Sequence, residues 1–156
     1  MSAKLRVFAS AASVAAVALV VSLVSVASAD TDKVVIHVVE RAVTDTFVDT
    51  DGDGGPTTGD LLTFHNKLYD ETNTERVGRN QGQCILIDPE NGAWECAYTN
   101  FLPGGHISVE GPFVEGRQTA LAVIGGTGDY NDVSGIQQLS CDAAAATCDF
   151  VFRLNV

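Results

Sequence analysis

Beyond its first 29 residues the chain predicts an all-β fold, an eight-stranded antiparallel barrel. Three observations carry this. Short β-branched and aromatic runs follow one another, separated by Gly, Pro, Asn and Asp. No part of that region shows a convincing helical period. Two pairs of cysteines also fall opposite one another when the turns between them are closed. An antiparallel sandwich has a similar strand pattern, but closing the sheet removes its exposed edges and favours the barrel.

Residues 1–29 are a different kind of sequence. Lys4 and Arg6 open them, Val7 to Val26 is almost entirely Ala, Val, Leu and Ser, and Ala27-Ser28-Ala29 supplies small residues before Asp30. That is the layout of a secretory signal peptide cleaved before Asp30. The alternative is an uncleaved membrane anchor, which has no use for the small-residue end. Residues 30–156 then form one domain, large enough to hold a core.

The first strand is "KVVIHVVER" (Lys33 to Arg41), and a polar, glycine-rich loop follows it. Asp60 to Tyr69 makes the second strand, and Glu75 to Ile87 the third, broken by Gly78 and Gly82. Ala93 to Leu102 is the fourth, ended by Pro103-Gly104-Gly105. His106 to Val114 and Gln118 to Ile124 form the fifth and sixth strands, "GGTGDYND" reads as a loop, and Val133 to Cys141 and Cys148 to Val156 complete the set. A barrel of this size has room for filling side chains or one small ligand.

Four cysteines in an exported chain favour two disulfides. A hairpin closed through "DPENG" sets Cys84 against Cys96, and a turn within "DAAAAT" sets Cys141 against Cys148. That symmetry favours 84–96 with 141–148 among the three connectivities that four cysteines allow. Neither pair has the CxxC spacing of a thiol-exchange enzyme.

Composition excludes some partners. The chain carries 20 acidic against 9 basic residues, a formal charge of −11, and two of the cations lie in the leader. Such a surface repels phosphate backbones and anionic lipids, so neither nucleic acid nor, after cleavage, a membrane is expected as partner. "DTDGDGGPTTGD" (Asp49 to Asp60) matches a calcium loop at several positions. However, no helices flank it, Pro56 interrupts it, and Asp60 is shorter than the usual bidentate Glu. An ordinary solvated loop is the better reading, and no metal is expected. "GGTGDY" lacks the spacing and the following helix of a dinucleotide loop.

From Gly59 onward the chain resembles the plant allene oxide cyclases, members of a wider barrel family that includes dirigent proteins. The stretches concerned are "GDLLTFHNKLYD", "VGRNQGQCILI", "GGHISVEGPF" and "LAVIGGTGDYNDVSGIQQL", in the family's order and spacing. The resemblance implies an eight-stranded antiparallel barrel that binds a reactive fatty-acid epoxide and guides its ring closure to one enantiomer, without a cofactor. It also implies a homotrimer. Catalysis of that kind is positioning plus electrostatic stabilisation in a dry cavity.

Carried over by residue, Asn66 falls on the Asn of the family's "NKLY" stretch, and Leu62 and Phe64 share its strand face. Phe64, Trp94 and Tyr98 are the expected aromatic lining of the lumen, with Leu62. Cys84 matches a pocket cysteine of the plant enzymes, but a disulfide to Cys96 removes its thiol. Aligning "VER" (Val39 to Arg41) puts His37 at the family's acidic position, as a proton-handling group, and Val39 at a water-holding Asn. A lone histidine in an apolar strand is otherwise a core residue. Glu40 is the other candidate acid and faces opposite to His37. The implied function is a secreted isomerase of the allene oxide cyclase type. The alternatives are a non-catalytic dirigent-like or ligand-binding barrel, and a barrel packed shut.

Overall fold

The computed structural model describes residues 33–155, so the expected leader and its cleavage point lie outside the described residues. The strands are β1 (Lys33–Arg41), β2 (Thr46–Val48), β3 (Leu61–Phe64), β4 (Lys67–Asp70), β5 (Arg76–Asp88), β6 (Ala93–Leu102), β7 (Gly105–Val114), β8 (Thr119–Gly128), β9 (Ser134–Asp142) and β10 (Thr147–Asn155). The ring runs β5-β4-β1-β10-β9-β8-β7-β6 and shuts by pairing β6 with β5. Its pairings are antiparallel throughout. This is the closed eight-stranded barrel expected.

Strands β3 and β4 are two halves of one barrel strand. Phe64 lies opposite Gly82 and Lys67 opposite Arg79, in a single register along β5. Between them Asn66 and Asn80 exchange both backbone hydrogen bonds, at 3.1 and 2.9 Å. The short β2, which lies in the region expected as loop, adds to the free edge of β3. Strand β5 is not broken at its glycines. It runs unbroken through Gly78 and Gly82, and at Gly82 a Cβ would collide with that of Tyr98 across the pair. Glycine here permits close approach of two strands rather than a stop. The "GGTG" segment expected as loop is likewise the end of β8.

Both expected disulfides are present, Cys84–Cys96 and Cys141–Cys148. Each joins residues directly opposite in register. The hairpin between the first pair turns through Pro89–Asn91, where the Asp88 side chain accepts from the Asn91 N–H and Gly92 takes the left-handed conformation at φ 58°. Cys141 and Cys148 are seven residues apart, so opening that bridge by Cys141→Ser with Cys148→Ser should cost about 2 to 3 kcal/mol in urea denaturation.

Alternation along the strands divides the barrel. On β10, Phe150, Phe152 and Leu154 are buried inside, while Asp149, Val151 and Arg153 are less buried. One end of the interior is filled by Leu68, Leu102, Ile107, Phe152 and Leu154, all at most 8 % exposed. Each such side chain contributes roughly 1.5–3 kcal/mol through burial. Next comes a buried polar group, Asn66, Asn80, Asn100 and Gln137, each at most 1 % exposed. Beyond it the barrel is hollow.

Candidate functional site

The hollow end holds a cavity of about 320 Å³. Its walls are mostly apolar: Leu62 and Phe64 from β3, Phe113 from β7, Leu139 from β9, Phe150 from β10, and both disulfides. Tyr98 of β6 stands edge-on to Phe64 with ring centroids 5.5 Å apart, and tilted against Phe150 at 5.8 Å. Asp45, Asp142, Ala143 and Ala146 come from exposed segments and form the mouth.

Glu40 is the acid inside this cavity, with Asp45 and Asp142 at its mouth. It sits near the end of β1 opposite Cys148, whose disulfide lines the same space, and is only 6 % exposed. Its Oε1 accepts from Asn80 Nδ2 at 2.6 Å and from Asn66 Nδ2 at 3.1 Å. Both amide donors therefore hold one oxygen and leave the other to the cavity. Burial pushes the carboxyl up to about 7, the Asn80 and Asn66 hydrogen bonds pull it down, and Asp45 adds to the rise. A group that ionises near neutrality, inside an apolar hollow, is what acid–base or electrostatic catalysis needs.

Asn66 is the hub of the neighbouring loop. Its Oδ1 accepts from the Val43 and Thr44 N–H groups at 3.0 and 2.9 Å and from Thr44 Oγ1 at 3.0 Å. Its Nδ2 donates to Glu40 and also, at 2.6 Å, to Asp45 Oδ1. Asn66 thus positions Glu40 and one side of the mouth together. Tyr98 accepts a 2.8 Å hydrogen bond from Gln137 Nε2, which leaves its own O–H free to donate. Burial, and secondarily the Glu40 charge, pushes its phenol up, so it stays neutral.

Of the residues expected from sequence, Leu62, Phe64, Tyr98 and Cys84 line the cavity, and Asn66 lies beneath it on Glu40. Two do not belong. Trp94 is buried, but it packs edge-on to Phe47 at 6.4 Å and donates to Glu115 at 2.9 Å, outside the cavity wall. His37 is on the outer face. Its partner in register is Val151, and its Nε2 is 2.9 Å from Asp149 Oδ1, with the imidazole 33 % exposed. The alignment through Val39–Arg41 therefore chose the outer face of β1, and the acid of β1 that lines the cavity is Glu40. An exposed pair of this kind contributes little, so His37→Ala should shift stability by less than about 0.5 kcal/mol in thermal denaturation and leave ligand binding unchanged.

The calcium pattern fares differently from its expectation at one point. Asp49, Asp51 and Asp53 do bring one oxygen each within 4.8 Å of one another. Asp60 is not with them: its two oxygens accept from the Thr50 and Thr57 N–H groups at 2.8 and 2.7 Å, which hold its pKa low. It closes the loop from inside. Sequence reasoning missed Asn80 and Gln137, since a polar residue in a strand gives no sign of being buried, and Asp45, since its place in an exposed loop gives no sign of its hydrogen bond to Asn66.

A closed antiparallel barrel with one buried carboxyl in an apolar hollow is the architecture that the fold and the site define. The chain belongs to the allene oxide cyclase family, whose model matches residues 34–146. Among solved structures it is similar to a pyocyanin demethylase, at 23% identity, TM-score 0.69, over 78% of this chain and 100% of that one. It is similar to an exo-specific intermolecular Diels-Alderase at 17% identity, TM-score 0.67, over 82% of this chain and 100% of the other. A pterocarpan synthase dirigent protein matches at 19% identity, TM-score 0.62, over 79% of this chain and 93% of its own. At these identities the likeness is one of fold.

Proposed function

We propose that the protein is a secreted isomerase of the allene oxide cyclase type, which binds a small, apolar, reactive epoxide or polyene and directs its ring closure to one enantiomer. The observation that carries this is Glu40, a carboxyl held by two asparagines at the floor of an apolar cavity. In such a reaction the epoxide C–O bond opens, a carbon–carbon bond closes the ring, and no atom is added or lost. The walls supply the folded conformation of the substrate. The Glu40 carboxylate stabilises positive charge spreading along the carbon chain, and the Tyr98 O–H, free to donate, is the proposed partner of the oxygen that becomes negative. Family membership and neighbours that include a Diels-Alderase and a dirigent protein support a role in steering ring closure or coupling.

The test is a chiral product assay in which the unstable allene oxide, as its uncharged methyl ester, is generated beside the purified protein. An excess of one enantiomer supports the reading, and a racemic product equal to the buffer control removes it. Export is supported by the two disulfides, which persist in oxidising compartments. N-terminal sequencing of the secreted chain should begin at Asp30, and a sequence beginning at Met1 would exclude cleavage.

A further inference from the structure

The charges around the cavity all have one sign. Its described lining carries three carboxyl groups, Glu40 inside and Asp45 and Asp142 at the mouth, and no Lys, Arg or His. The mouth carboxylates are pinned in place. Asp45 accepts from Asn66 at 2.6 Å, and Asp142 accepts from the Ala144 and Ala145 N–H groups at 2.9 and 3.2 Å. Arg41, the cation next to Glu40 in sequence, is turned outward by strand alternation. Its guanidinium lies 3.6 Å from the centre of the Tyr69 ring, and it donates to Asn73 Oδ1 and to the Asn73 carbonyl at 2.9 and 2.8 Å. Four aromatic rings, Phe64, Tyr98, Phe113 and Phe150, line the same space, and aromatic faces attract cations.

We infer that the ligand of this cavity is an apolar molecule carrying a positive charge, and that ligands with a carboxylate are disfavoured. A free fatty acid would have to leave its carboxylate between Asp45 and Asp142 with no cation to meet it, or bury it beside Glu40. Either position is repulsive, and the low-dielectric walls strengthen the repulsion. An apolar cation meets the opposite field at the mouth and again at the floor. This selectivity rests on the reading of the cavity as a binding site, and it narrows the substrate class that reading leaves open.

Three probes with the same ring separate the charge from the rest: (2-naphthylmethyl)trimethylammonium, 2-naphthylmethanol and 2-naphthylacetate, titrated calorimetrically into the full protein. The ammonium should bind about tenfold more tightly than the acetate at physiological ionic strength, with the alcohol between them. Raising the salt to about 1 M should narrow the gap. Asp142→Lys, at the exposed rim, should weaken the ammonium and strengthen the acetate. At pH 7 a bound cation favours the ionised form of Glu40, whose neighbours are Asp45 and Tyr98, so binding should release a proton. That release appears as a heat that differs between phosphate and Tris buffers. If the alcohol or the acetate binds as tightly as the ammonium, the inference is overturned while the binding cavity stands. If none of the three binds, the reading of the cavity as a binding site falls with it.

Discussion

Glu40→Gln is expected to abolish enantiomeric excess while making the protein more stable at alkaline pH. The replacement has nearly the same shape, and its amide oxygen can accept from Asn66 and Asn80 where Oε1 now does. What is lost is the charge. Removing a single preorganised electrostatic group lowers rates by about 10²–10³, and with the uncatalysed closure competing, the product becomes racemic. The stability change follows from linkage. The folded pKa of Glu40 is raised from 4.5 to about 7, so its contribution to stability is fully present below pH 4.5 and is lost as pH rises through 7. The wild-type protein should therefore lose on the order of 3 kcal/mol between pH 4.5 and 8 from this one group.

Asp49, Asp60 and Asp70 have lowered pKa values, and their contribution is lost only as pH falls below the ordinary carboxylate range, so they do not blur this window. The Gln variant lacks the titration. Its melting temperature should match wild type near pH 5 and exceed it by about 10 °C at pH 8. Wild-type activity should rise with pH through about 7 as the carboxylate forms. A variant that keeps enantiomeric excess would place the chemistry elsewhere, and one that melts lower at pH 8 would make Glu40 a structural residue.

The contrast between Glu40 and His37 shows what a single sequence makes legible here. The strand itself is plain, since Lys33 to Arg41 is β-branched almost throughout. Its faces are not, because Val35, Val38 and Val39 interrupt the alternation that would separate inside from outside. The assignment becomes readable only through the partner strand. β10 does alternate, with Phe150 and Phe152 inward, and the pairing of β1 with β10 sets Glu40 opposite Cys148 and His37 opposite Val151. Opposed residues share a face. Such pairing is a long-range fact, and a family motif aligned over three residues was too short to supply it.

The cysteine pairs were legible for the opposite reason. Each lies across one local hairpin, where turn chemistry sets the register. The same locality explains the errors at Gly78, Gly82 and "GGTG". Glycine marks a turn when the chain reverses and a close strand contact when it does not, and only neighbouring strands distinguish them. Trp94 is expected in the lumen as an aromatic residue, yet its indole N–H needs an acceptor, and Glu115 provides one outside the cavity.

Asn66 carries the largest expected effect on the fold itself. Asn66→Ala removes five hydrogen bonds at once and leaves the Val43 and Thr44 N–H groups, the Glu40 carboxyl and Asp45 each short of a partner. Orphaned buried groups cost about 1–3 kcal/mol each where water cannot replace the partner. Because part of the 42–45 segment is exposed and can rehydrate, the expected loss is about 3–5 kcal/mol in urea denaturation. Glu40 also loses one of the two donors that favour its charge, so its ionisation moves upward and the activity profile moves to higher pH with it.

Asn66→Asp separates these two roles. A carboxylate there can still accept from Val43 and Thr44, but it cannot donate to Glu40 or Asp45, and three acids then converge in one place. Like charges so close cannot all ionise, so their pKa values are raised and stability is lost as pH rises. The Asp variant should fold near pH 5 and unfold or loosen at pH 8, the reverse of an acid-sensitive protein. A variant equally stable at both would mean that Asn66 holds the loop through its oxygen alone. Stability of Asn66→Ala within about 1 kcal/mol of wild type would mean that β1, β4 and β5 fix the Glu40 carboxyl without it.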